Sequence, residues 1–334
     1  PWYRGYTQVI RFNANGDRYT GMYVFKTVEP AQTSYRWQKD CAFVFITQDP
    51  SDTSQDPNTN PIDGLPVKHR ILITRRPVIP MEETFPLPVL VPITGEISTL
   101  RLPILRALQT VETDLNRYLA MYGSPSTVQV EIFDSESNAT TSLNHVVQIA
   151  AQKSSPIIIG PYSSEALRGV KDFADSHGLI LLSPGSTAVS LSIANDSIYR
   201  LVLDDAKQAA ALARYMAEEA IQTVIPVWID NEYGNSYHSA LIQEMKNAGK
   251  TISDGISYPP GQTNFTETLL AIDQQIHAAM QNQAPHSIGV VLIGYDEGIG
   301  LLASAEEQSR LAQVRWFGSD SYAYSTAIQD NPQA

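Results

Sequence analysis

From Pro88 onward, short apolar runs alternate with amphipathic stretches of helical period. Strands are predicted near 88–93, 127–133, 156–160, 179–183, 198–202, 222–229, 251–256, 287–294 and 313–318. Helices are predicted near 99–122, 139–153, 163–177, 205–220, 235–248, 264–282 and 297–309. The stretch 264–282 has the clearest 3.6-residue period, with Phe265, Leu269, Ile272, Ile276 and Met280 on one face. Strands separated by helices of this length predict parallel sheets flanked by helices. The strands are too many for one sheet, so two lobes are expected, dividing near Asp204-Asp205.

Residues 1–85 read differently, as β-rich and irregular. The runs 7–12 and 19–25 flank Asn13-Ala14-Asn15-Gly16-Asp17, and Asn-Gly between such runs predicts a hairpin, because its central positions need positive φ. Further strands are expected near 42–47 and 69–75. The intervening 49–66, rich in Asp, Pro, Ser, Thr and Asn, reads as a mobile surface loop.

The candidate chemistry sits at strand ends. Ser163 and Ser164 follow Ile157-Ile158-Ile159, and Ser183 to Thr187 follow Leu179-Ile180-Leu181-Leu182. Hydroxyls and free N–H groups at the carboxyl ends of parallel strands suit a small anion such as a carboxylate. Asp230 to Gly234, Gly294-Tyr295-Asp296 and Gly318-Ser319-Asp320 close three later strands. A carboxylate and tyrosines there suit an ammonium and an apolar side chain. The same residue types also cap helices and form turns, so Ser163, Ser183 and Asp230 carry both readings.

Charge and composition narrow the classes. The chain has 334 residues, a formal net charge of −12 and 17% charged residues. Such a balance disfavours nucleic acid or an anionic membrane as partner. No apolar run is long enough to span a membrane as a helix. Cys41, the only cysteine, begins an apolar strand and reads as a buried structural thiol. The six histidines show no metal-ligand spacing, and there is no P-loop or Gly-x-Ser-x-Gly elbow. Ser163 and Ser164 have no evident base. No enzyme, metal or cofactor is therefore expected. Sequons at Asn138, Asn195 and Asn264 fall at expected loops or helix starts and point to an extracellular, periplasmic or cell-surface glycoprotein.

The segments "IIIGPYSSEA", "GLILLSPGSTAVSLS", "IYRLVLDDAKQAAALARYM", "DNEYGNSY", "VVLIGYDEG" and "WFGSDSY" stand in the order and spacing of a known family. From about Pro88 to Tyr324 the chain resembles type I periplasmic solute-binding proteins of the branched-chain amino acid group, and the related receptor ectodomains. The resemblance implies a two-lobed α/β fold of parallel sheets flanked by helices, here with an added β-rich N-terminal segment. It places the ligand carboxylate at Ser164, Gly185 and Thr187, with Ser163 and Ser186 adjacent. It assigns Tyr233 and Tyr295 to the second lobe's wall, and Asp320 to the ammonium, shorter than the family's frequent Glu. The loop Thr94 to Leu100 resembles the family's first ligand loop, with Leu100 where an aromatic is often found.

The family's terminal hairpin resembles "VIRFNANGDRYTGMYVFKTV", which here precedes the domain. The expected division is therefore a hairpin segment over 1–32, a β-rich linker over 33–87, lobe 1 over 88–204 and a C-terminally incomplete lobe 2 over 205–334. A tandem array, a rearranged unit or strand exchange with a neighbour would each account for that order. The expected function is binding of an amino acid or similar small polar solute between closing lobes. Neighbouring domains, identical subunits and a membrane transporter or receptor are the candidate partners. The rival is a structural or assembly protein that reuses the fold without a ligand.

Overall fold

The computed structural model describes residues 84–121, 124–152, 155–306, 310–323, 325 and 328, together with the strands of 20–30 and 35–46. Strands β1 (Thr20–Pro30) and β2 (Tyr35–Ile46) form an antiparallel pair, with Thr20 opposite Ile46 and Pro30 opposite Tyr35. The hairpin expected between 7–12 and 19–25 has its first strand outside the described residues. Residues 7–12, the strand near 69–75 and the loop 49–66 lie outside the described residues.

Lobe 1 is a five-stranded parallel sheet in the order β4-β3-β5-β6-β7, formed by Thr127–Asp134, Thr84–Val91, Ile157–Ile159, Ile180–Ser183 and Ile198–Arg200. Pairing sets Ile158 beside Leu181 and Leu181 beside Ile198. This row and Leu90 pack under Val146 and Ile149 of α2 (Ala139–Gln152) and Leu167, Val170 and Ala174 of α3 (Ser164–His177). Each such aliphatic side chain stabilises the lobe by about 1.5–3 kcal/mol relative to exposure.

The opposite face of that sheet is different. By the same registers Phe85, Ile132, Ile157, Ile180 and Tyr199, one from each strand, point to it. They remain between 39% and 50% exposed. Helix α1 (Arg101–Met121) contacts β4 but has no buried residue.

Lobe 2 is a second five-stranded parallel sheet built on β8 (Thr223–Ile229) and β11 (Ile288–Ile293), with β12 (Arg315–Gly318) beyond β11. Almost every residue of β8 and β11 is buried, as expected of central parallel strands covered on both faces. Helices α4 (Asp205–Glu218), α5 (Glu232–Asn247) and α6 (Thr266–Met280) contribute Leu212, Met216, Tyr237, Leu241, Leu269, Ile272 and Ile276 to this core. Phe265 is buried beside them and Met280 partly so, which is the predicted face of 264–282. Helix α7 (Gly298–Glu306) precedes β12.

The strand expected over 251–256 is two pieces, β9 (Thr251–Ile252) and β10 (Ile256–Tyr258), both on the same side of β8. Pro226 of β8 supplies no N–H where β9 gives way to β10. Gly255 crosses the break at φ 71°, where a Cβ would lie 2.4 Å from the Pro226 oxygen. Helix α5 starts earlier than expected, because the Asn231 side chain accepts from Gly234 N at 3.0 Å and caps it.

Candidate functional site: an interlobe cleft

In each sheet the chain leaves its first strand to build one side and then returns to build the other. Those switch points are β3 between β4 and β5, and β8 between β9/β10 and β11. Crevices open outside the carboxyl ends of strands at such points. Here the two meet across one cavity of about 120 Å³ lined by both lobes. Its size is of the order of the roughly 150 Å³ that admits a benzene ring.

Lobe 1 contributes three loops. Ile97, Thr99 and Leu100 line the cavity from the loop after β3. Asp134 at the end of β4 holds that loop. Its carboxylate accepts from Ile93 N at 3.0 Å, Thr94 N at 3.1 Å and the Thr94 hydroxyl at 2.7 Å. Burial pushes this carboxyl up, but the bonds from Glu136, Thr94 and Ile93 outweigh it and hold it below its ordinary value.

Tyr162, Ser163 and Ser164 line the cavity from the turn after β5. Ser163 is the α3 cap, accepting from Ala166 N at 3.2 Å, so its capping and lining roles coincide. Ser164, only 3% exposed, accepts from the Ser186 hydroxyl at 3.1 Å and Ala188 N at 3.2 Å. The Ser183 hydroxyl donates to the Pro161 oxygen at 2.7 Å and accepts from Ser186 N at 3.2 Å. These bonds fix the turn after β6 against that after β5 and present Gly185 and Thr187 to the cavity. Gly185 must be small, because a Cβ there would sit 2.3 Å from the Tyr162 ring. Ser186 is buried behind the wall, orienting Ser164 rather than lining the cavity.

Lobe 2 contributes Tyr233, Tyr295, Asp296, Asp320 and Ser321. The rings of Tyr233 and Tyr295 stack at 5.3 Å and 21°. The Tyr233 hydroxyl donates to Asp320 Oδ1 at 3.4 Å, and the Gln208 side chain also binds this carboxylate. Asp320 is enclosed deep in the molecule, yet its own surface is open to the cleft. Enclosure pushes its carboxyl up, opposed by those hydrogen bonds. Burial, then the nearby Asp320, pushes the Tyr233 hydroxyl well up, so it stays a neutral donor. Burial and Asp320 likewise raise Asp205, at the start of α4, well above the carboxylate range.

The lobes also touch beside the cavity. Glu232 N, in the first turn of α5, donates to Glu165 Oε2 of α3 at 3.1 Å, so a lobe 1 carboxylate sits at a lobe 2 helix N-terminus. Ser190 binds Glu232 through its hydroxyl, and Ser190 N donates to the Ser236 hydroxyl at 3.3 Å. Glu96 is hydrogen-bonded by Asn231. Burial, with Glu297 and Glu165 nearby, pushes Glu96 up to about 7.

Of the residues the sequence singled out, Ser163, Ser164, Gly185, Thr187, Tyr233, Tyr295 and Asp320 thus border one cavity. Tyr162, Asp296 and Ser321 join them and Glu96 lies nearby. Asp296 had a visible signal in the Gly-Tyr-Asp strand end, whereas Glu96 gains its significance only from carboxylates distant in sequence. No group of His, Cys, Asp and Glu among the described residues could hold a metal ion. Asn138, Asn195 and Asn264 are all exposed.

Comparison with known proteins gives the family. Residues 104–334, well over half the chain, match the receptor family ligand binding region. The chain belongs to that family. Two curated relatives are each 24% identical: an uncharacterised Methanocaldococcus jannaschii protein, MJ1266, over 245 residues, and BasB of Halobacterium salinarum over 238. BasB is a substrate-binding protein of a chemotactic signal transduction system. The matches cover 72% and 67% of this chain but only 57% and 56% of those proteins.

Solved structures share the fold at lower identity. The leucine-binding protein LivK of Thermotoga maritima aligns with TM-score 0.58 and 17% identity, covering 71% of this chain and 63% of its own. LivJ of Streptococcus pneumoniae, in complex with isoleucine, aligns with TM-score 0.55 and 16% identity, covering 72% and 65%. A type 1 periplasmic binding protein of Bordetella pertussis gives TM-score 0.61 and 17% identity, covering 74% and 65%. The architecture is that of type I periplasmic binding proteins, and these neighbours are solute-binding proteins.

Proposed function

We propose that this chain is a non-catalytic, extracellular binding module for an amino acid or similar small zwitterion. The observation that carries the reading is complementarity across one cavity: Ser164, Gly185 and Thr187 face it from lobe 1, and Asp320 with stacked Tyr233 and Tyr295 faces it from lobe 2. The hydroxyls and turn N–H groups bind the carboxylate, and Asp320 pairs with the ammonium. Closure of the lobes joins both halves. A downstream transporter or signalling receptor is in keeping with LivJ, a substrate-binding protein of a branched-chain amino acid transporter, and with BasB, one of a chemotactic signal transduction system. Glycans at Asn138, Asn195 and Asn264 would stand on the exposed surface. Calorimetry against a panel of amino acids tests the reading. Binding that weakens at least tenfold in Asp320→Ala, with unchanged circular dichroism, supports it; no binding by a folded chain, or an unaffected variant, removes it.

A second reading, an assembly or structural protein that has kept the fold without a ligand, is favoured by the apolar row Phe85, Ile132, Ile157, Ile180 and Tyr199. A face of that kind on a stable protein is commonly covered. In this reading identical subunits cover it. Light scattering after size exclusion separates the two: a monomer that binds ligand supports the first, ligand-free polymers the second.

A further inference from the structure

The two sides of the cavity are unequal in charge. Among the described residues its lining includes Asp296 and Asp320 and three tyrosines, Tyr162, Tyr233 and Tyr295, but no Lys, Arg or His. The nearby buried Arg200 is occupied elsewhere, donating to the Ala188 oxygen at 2.6 Å and lying close enough to Asp205 to lower its carboxyl. Among the described residues no ion pair involves Asp296, Asp320 or Glu96. Among the described residues the Asp296 carboxylate accepts from a neutral donor, the Ser325 hydroxyl at 2.9 Å. One α-ammonium offsets Asp320, and the ligand carboxylate is met by neutral hydroxyls and N–H groups. Closure of the lobes over such a ligand would leave Asp296, already half-buried, on the cleft wall without a counter-charge, which costs free energy unless the ligand supplies one. Three tyrosines line the same cavity, and aromatic rings are compatible with a cationic ligand. The crowding is felt at Glu96, which the Glu297 and Glu165 carboxylates help to push up.

We propose that the cleft selects a diamino monocarboxylate, a basic α-amino acid whose second cation pairs with Asp296. This rests on the zwitterion reading above and adds the class of side chain. Ile97, Thr99 and Leu100 supply the apolar and hydroxyl wall along which a methylene chain would run.

The test compares lysine, norleucine and cadaverine by calorimetry at neutral pH and low salt. Norleucine keeps the chain and the zwitterion but lacks the terminal cation, and cadaverine lacks the carboxylate. Lysine is expected to bind at least about tenfold more tightly than norleucine, the value of a desolvated charge pair. Asp296→Asn is expected to bring that ratio close to one. Norleucine binding as well as lysine overturns this proposal and leaves the zwitterion reading standing, and so does a ratio unmoved by Asp296→Asn. Cadaverine matching lysine overturns the carboxylate half of the zwitterion reading instead, and binding by none of the three overturns the basic-side-chain proposal while the amino acid panel decides the zwitterion reading. The wild-type comparison decides the matter even if the variant does not fold.

Discussion

Glu96 offers the most direct physical test of the cleft's electrostatics. Its carboxyl is pushed from an ordinary 4.5 to about 7 by burial and by Glu297 and Glu165. A raised folded-state value means that the native protein holds the proton more tightly than the unfolded chain does. The stabilisation from that proton is complete below about pH 4.5 and is lost as pH rises to about 7. At 1.36 kcal/mol per pH unit the full shift corresponds to about 3 kcal/mol, and because Glu96 is partly solvent-exposed about 1–2 kcal/mol should survive screening. Glu96→Gln removes the titration while its amide oxygen still accepts from Asn231. Urea unfolding of both proteins at several pH values between 4 and 8 reads the effect. The wild type should lose about 1–2 kcal/mol relative to Glu96→Gln between the two ends, losing most of it before pH 7. A stability difference that stays constant across the range would refute the reasoning.

Two further substitutions probe the lobe 1 wall. Ser164→Ala leaves the Ser186 hydroxyl and Ala188 N–H without their buried acceptor, and should cost about 1–3 kcal/mol in chemical denaturation as well as weakening ligand binding. Gly185→Ala places a methyl where the Tyr162 ring lies, so affinity should fall by calorimetry while far-ultraviolet circular dichroism stays the same.

The alternation of apolar runs and helical periods disclosed nearly every element from β3 to β12, because each strand and helix is set by local pattern. The breaks were less visible. The interruption between β9 and β10 depends on Pro226, which lies in a neighbouring strand. The pairing of β1 with β2 was also not read, because the connection at 31–34 carries no Asn-Gly turn signal. The strand-end hydroxyls and Asp320 were readable as chemistry because parallel strands bring their carboxyl ends together. Ser186 was not, since its choice between cavity and support depends on the Ser164 rotamer. Glu96 was equally hidden: its charge environment comes from Glu165 and Glu297, on other elements.

Among the described residues the polar contacts between the lobes include Glu165 with Glu232 N, Ser190 with Glu232 and Ser236, Glu96 with Asn231, and Asp205 N with the Thr187 oxygen. Hydrogen bonds of this kind are worth about 0.5–1.5 kcal/mol each, so together they hold the cleft shut only weakly. Hinge motions of lobes run on microsecond to millisecond timescales. A ligand held between lobes closed over it would leave as these bonds part. Its residence time would then follow the frequency of opening, with the wall contacts making each opening rarer.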